Sequence, residues 1–134
     1  MYIVRPLLNH EAVAAWARSE GYDNHPLFWH LTVGRVRRSF DRSLLDARKV
    51  SLRFSAYRSI QRMGYELALV CPSDRLQKRH RELRELGAEW DYRRYIPHVS
   101  FAPYQRQDVS QIVAYRGPII LGPECLPTDL QMET

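Results

Sequence analysis

His98-Val99-Ser100-Phe101-Ala102 repeats the pattern of His30-Leu31-Thr32-Val33-Gly34, and this repetition decides how the chain is read. Both stretches are apolar enough for strands, whose side chains alternate from face to face. In each, the imidazole and the hydroxyl two residues on share one face, roughly 6–7 Å apart along the backbone. Leu31, Val33, Val99 and Phe101 take the other face, toward a core. The chain holds five histidines among 134 residues and 12 Ser or Thr, so a hydroxyl two places after a histidine is not rare by itself. Strand phase and spacing carry the argument instead. The two histidines lie 68 residues apart, about half the chain, and each follows an amphipathic segment.

Outward from these strands, Met1–Arg5 reads as a first strand closed by Pro6. Asn9 reads as the N-cap of a helix with Val13, Trp16 and Ala17 on one face, ended by Gly21. Turn residues Asp23, Asn24 and Pro26 fill the linker Tyr22–Trp29 before the strand His30–Val36. Val50, Leu52, Phe54 and Ala56 alternate with Ser51, Arg53, Ser55 and Tyr57, the pattern of a half-buried strand. Its expected antiparallel partner is Tyr65–Val70, across a turn near Met63–Gly64. Ser73 caps a second helix with Leu76, His80, Leu83 and Leu86 on its apolar stripe and Gly87 at its end. His80 there reads as a packing residue. An aromatic and basic segment, Glu89–Ile96, leads through Pro97 into the strand His98–Ala102, and Pro118–Leu121 forms the last strand. Helices do not alternate strictly with strands, so the expected class is α+β with mainly antiparallel sheet, folded as a single domain over residues 1–134.

Composition sets bounds on function. A net charge of +5 favours anionic ligands such as nucleotides, and serves equally to keep a small domain in solution. No apolar run reaches the roughly 20 residues of a membrane helix, and none opens the chain as a signal peptide would. Cys71 and Cys125 lack metal or disulfide spacing and read as small apolar residues. The expected setting is the cytoplasm, with no membrane partner and no stable nucleic-acid partner. The chain shows no HExxH pattern and no Gly-rich phosphate loop, so neither a metal nor another cofactor is expected.

Two such strands side by side would present His30, Thr32, His98 and Ser100 to one cleft. That set suits phosphodiester cleavage. A neutral imidazole takes a proton from the attacking oxygen, a protonated one gives a proton to the leaving oxygen, and an ordinary pKa near ~6.5 allows both states at neutrality. Thr32 and Ser100 would hold the non-bridging oxygens. Tyr2, Trp29, Trp90, Tyr95 and Tyr104 include candidate base-stacking surfaces, Tyr104 foremost, though packing is the default role of each. Arg35 and Arg37 would reach phosphates at the cleft rim.

The paired H-x-[ST] motifs, one in each half of a small α+β domain, resemble the 2H phosphoesterase superfamily. That resemblance implies an RNA-ligase-like fold of two related lobes around a central cleft. Arg79-His80-Arg81-Glu82-Leu83, Leu86-Gly87-Ala88, Trp90-Asp91-Tyr92, Tyr95 and Pro97-His98-Val99-Ser100-Phe101, with the tail Gly117–Glu124, resemble the second half of the phage anti-CBASS phosphodiesterases. The implied activity is hydrolysis of 3′–5′ bonds in cyclic di- and trinucleotide signals of bacterial antiviral defence, in the host cytoplasm. The resemblance also implies a site role for Glu124, in orienting a histidine or touching the ligand. Ser100 departs from the more usual threonine but keeps the hydroxyl. Two alternatives stay open: an RNA 2′,3′-cyclic phosphodiesterase or 2′–5′ RNA ligase-like enzyme, and a non-catalytic nucleotide-binding module.

Overall fold

The two histidine strands lie side by side at the middle of a five-stranded sheet. A computed structural model describes residues 1–127. In chain order they form β1 (Tyr2–Pro6), α1 (His10–Ser19), β2 (His30–Arg35), β3 (Val50–Leu52), β4 (Ser59–Met63), β5 (Glu66–Val70), α2 (Asp74–Glu85), β6 (His98–Pro103) and β7 (Ile119–Leu121). The main sheet has the order β1-β2-β6-β5-β4, and β3 pairs with β7 in a second, small sheet. All these pairings are antiparallel, so the architecture is α+β as the sequence implies.

The internal repetition runs much further than the two motifs. Both helices end at a glycine in the left-handed region, Gly21 at φ 95° and Gly87 at φ 106°, where a Cβ would strain the backbone. Each histidine strand leads into a short 3-10 turn capped by an aspartate, Asp41 accepting from the Ser43 amide and Asp108 from the Ser110 amide. The next strand of one half, β3, then pairs with the next strand of the other, β7. The helices pack crosswise. Trp16 of α1 meets Phe101 of β6 edge-on, with ring centroids 4.9 Å apart, while His80 of α2 bonds the Val33 carbonyl of β2. Leu31, Val33, Leu67, Leu69, Val99 and Phe101 are fully buried in the core, together with Val13 and Ala17 of α1 and Leu76 and Leu83 of α2. Each such side chain contributes on the order of 1.5–3 kcal/mol when taken from water.

Three local expectations need correction. The strand read over Val50–Tyr57 stops at Leu52; beyond it the chain turns outward, leaving Phe54 and Tyr57 exposed. The Arg58 guanidinium, buried, holds that loop by donating to the carbonyls of Arg53, Tyr115 and Gly117. These three acceptors outweigh the alternating pattern. The strand's partner is therefore β7, while β5 pairs with β4, a strand the sequence pattern did not mark, across the turn at Gly64 (φ 64°). Asn9 stands at the N-cap position of α1 as read, but its side chain is turned away from the helix: its Oδ1 accepts from the Ile120 amide and its Nδ2 donates to the Pro118 carbonyl, tying β7 to the helix entry. Leu86 lies just past α2 and is exposed, whereas Ser73 does cap that helix, accepting from the Leu76 amide at 3.2 Å.

Candidate functional site

β2 and β6 pair around Leu31 and Val99. Antiparallel register then sets Thr32 opposite His98 and His30 opposite Ser100. Directly opposite residues have Cβ atoms about 4.5–5.5 Å apart, and diagonal ones are separated by about 7–8 Å. The two histidines thus occupy one diagonal of a rectangle and the two hydroxyls the other. A tetrahedral phosphate can sit over its centre.

Both histidines are oriented in the same way. Nδ1 of His30 lies 2.9 Å from the Phe28 carbonyl, and Nδ1 of His98 lies 2.7 Å from the Ile96 carbonyl, each two residues back along the chain. A carbonyl oxygen only accepts, so Nδ1 carries a proton in each ring and Nε2 is the nitrogen not engaged in that bond. Phe28 also stacks on His30, with centroids 5.0 Å apart at 12°.

A β-bulge follows each motif. The β1–β2 register passes over Val33, and the β5–β6 register passes over Phe101. A bulge breaks the ladder locally and leaves backbone groups to be bonded elsewhere. In β2 the Thr32 carbonyl receives the Tyr95 hydroxyl and the Val33 carbonyl receives Nδ1 of His80, both at 2.7 Å. Tyr95 and His80 stack face to face at 4.2 Å. Burial lowers the His80 pKa, which favours the neutral ring, and burial likewise raises that of the Tyr95 phenol. Segment 88–97 is bound to β2 at its other end as well, through the Glu89 amide on the Arg35 carbonyl and the Arg35–Asp91 and Arg37–Glu89 pairs.

That segment walls a cavity of about 480 Å³, lined by Tyr2, Thr32, Arg62, Trp90, Tyr92, Arg93, Arg94 and His98, among others. A smaller cavity of about 220 Å³ adjoins Ser100 and is lined by Asn24, His25 and Glu66. The strand register thus sets His30, Thr32, His98 and Ser100 on one face of the sheet; Thr32 and His98 line the larger cavity with Tyr2, Ser100 lines the smaller one, and His30 lines neither. Arg35, the register partner of Tyr2, is at the rim, already paired with Asp91. Tyr104 is half-buried beneath the Arg62 guanidinium, which lies 4.4 Å from its ring centroid, and it lines neither cavity.

Glu124 is elsewhere. Val4 and Pro6 stand opposite Thr32 and His30, so Arg5, opposite Leu31, points to the helix side of the sheet. Glu124 accepts there from Arg5 and from the Arg79 guanidinium at 2.8 Å, and also from the Asp46 amide at 2.9 Å. Its side chain is wholly buried in this ionic cluster, not beside the histidines. Arg62, Arg93, Arg94 and Tyr92 were missed as individual cavity residues. The basic and aromatic run from Glu89 to Ile96 was their signal for all but Arg62. Among the described residues, no three His, Cys, Asp or Glu side chains converge as a metal site requires, and no helix is long and apolar enough to cross a membrane.

The family model described as anti-CBASS protein Acb1 matches residues 1–133. Among curated proteins, the chain is 31% identical over 136 residues to the anti-CBASS protein Acb1 of Caulobacter sp. (strain RHG1). It is 30% identical over 138 residues to that of Sphingomonas paeninsulae. Each alignment covers 92% of this chain but 22% of the relative, so the chain spans about a fifth of the length of the curated relatives it matches.

Proposed function

This chain belongs to the Acb1 family of anti-CBASS proteins, and from that premise we propose that it is a phosphodiesterase of the 2H type. It would hydrolyse 3′–5′ bonds of cyclic di- and trinucleotide signals and so counteract CBASS defence. The observation that carries the reading is the diagonal pair of histidines, each with Nδ1 bonded to a carbonyl and Nε2 left for proton exchange.

In this mechanism a phosphodiester lies over the rectangle. Nε2 of one histidine, neutral, takes a proton from an attacking water as its oxygen bonds to phosphorus. Nε2 of the other, protonated, gives its proton to the departing ribose oxygen as the P–O bond breaks. One water is consumed, and the products are a phosphomonoester and a free hydroxyl. Thr32 and Ser100 donate to the non-bridging oxygens as negative charge concentrates there. The near-symmetry of the site lets either histidine serve as base, according to which way round the ligand sits.

The test is a panel of cyclic di- and trinucleotides beside RNA ending in a 2′,3′-cyclic phosphate, each incubated with EDTA and read by product mass. Linearised cyclic nucleotides bearing a terminal phosphate are expected. Reaction of the RNA ends alone would assign the enzyme to RNA processing, and binding without turnover would make it a sequestering module.

A further inference from the structure

The two cavities flanking the rectangle differ in charge. Arg62, Arg93 and Arg94 line the larger one, and none has a carboxylate partner among the described residues. The neighbouring Arg35 and Arg37 are each paired, with Asp91 and Glu89. The smaller cavity holds a carboxylate, Glu66, and no arginine. Unpaired guanidinium groups beside a cleft attract and hold phosphate.

The larger cavity also offers fixed aromatic surface. The indole N–H of Trp90 donates to the Arg94 carbonyl at 3.1 Å, and its ring packs edge-on against His80 and Tyr95. Tyr92 beside it is largely exposed. At about 480 Å³ the space falls within the roughly 300–1,000 Å³ of small-ligand sites. A phosphate over the histidines leaves this volume for the next unit of the same ligand.

We propose that the cavity beside His98 seats a second phosphate, the one next to the scissile phosphate in the same ligand, with the intervening base against Trp90 and Tyr92. The assignment rests on the phosphodiesterase reading for the position of the first phosphate. Its consequence is selection: ligands with two phosphates one nucleotide apart are held far better than ligands with one.

Binding of adenosine 3′,5′-bisphosphate and of AMP, followed by tryptophan fluorescence at low salt, tests this without turnover. The wild-type chain should bind the bisphosphate at least ~10-fold more tightly. Arg93→Gln and Arg94→Gln should each cut that preference several-fold, Arg93→Lys should keep most of it, and the exposed helix variant Arg81→Gln should leave it intact. In turnover of cyclic di-AMP, the Gln variants should raise KM with little change in kcat. Equal wild-type affinity for the two probes, or a preference that survives both Gln substitutions, overturns the subsite. A bisphosphate preference lost in those variants, in a chain that cleaves no cyclic nucleotide, keeps the subsite and overturns the proposed activity. Cleavage without the preference does the reverse.

Discussion

His30 and His98 each depend on one backbone carbonyl for their orientation. Replacing either with Ala should lower kcat on a cyclic dinucleotide by about 10²–10⁴-fold while ligand binding persists, measured by single-turnover assay. Unchanged turnover in either variant would remove that histidine from the mechanism. Tyr95→Phe tests the support behind Thr32. It strips the hydroxyl from the Thr32 carbonyl and should cost about 1–3 kcal/mol of stability in urea unfolding. Glu124 marks the limit of residue-scale reading, since its carboxylate holds Arg5 and Arg79 on the far side of the sheet. Glu124→Ala leaves the buried Arg5 with a weaker partner set and should destabilise by roughly 3–5 kcal/mol. Turnover per folded molecule should stay near wild type. A kcat loss without a stability loss would instead put Glu124 in the reaction.

At the scale of elements, the bulge in β2 and segment 88–97 act as one unit. The bulge withdraws Thr32 and Val33 carbonyls from the ladder, and Tyr95 and His80 take them up. The neutral His80 ring gives this unit a pH dependence. Burial depresses its folded-state pKa below the ordinary value, so the unfolded chain binds a proton first as pH falls. His80 therefore contributes stability that is complete above the ordinary histidine range and is lost as pH drops below it. Protection factors of the amides in residues 88–97, exchange rates corrected for the intrinsic pH dependence, should fall as pH drops below the ordinary histidine range, and His80→Gln should flatten that change. The hairpin of β4 and β5 shows what pattern alone misreads: Ser59–Met63 has no clean alternation, and its pairing follows from the turn at Gly64.

For the whole molecule, the second ionic anchor is Asp46. Burial pushes its carboxyl up, but the Arg48 amide and guanidinium and the Arg5 guanidinium outweigh this and hold it at about 2. A depressed carboxyl pKa stabilises the fold above the unfolded value, near ~3.9, and the contribution disappears as pH falls toward about 2. Asp46→Asn should therefore lose about 2 kcal/mol at pH 7 and show a shallower acid-unfolding limb, by circular dichroism against pH. The small sheet of β3 and β7 closes the fold by joining the two halves a second time, beyond the β2–β6 pairing.

By itself the sequence determined the helices, the two histidine strands and the face each histidine shares with its hydroxyl. Those follow from local periodicity and capping, which act within a few residues. Tertiary structure decided that β2 and β6 are neighbours in a register that sets the histidines on a diagonal. It also decided that Val50–Leu52 pairs with Ile119–Leu121, and that Glu124 lies under the sheet. These are pairings between residues 67 to 119 positions apart, fixed by which backbone groups and charges find partners on burial. No periodicity within one segment carries that information. The repeated motif showed which residues could act together; the fold determined how they face each other.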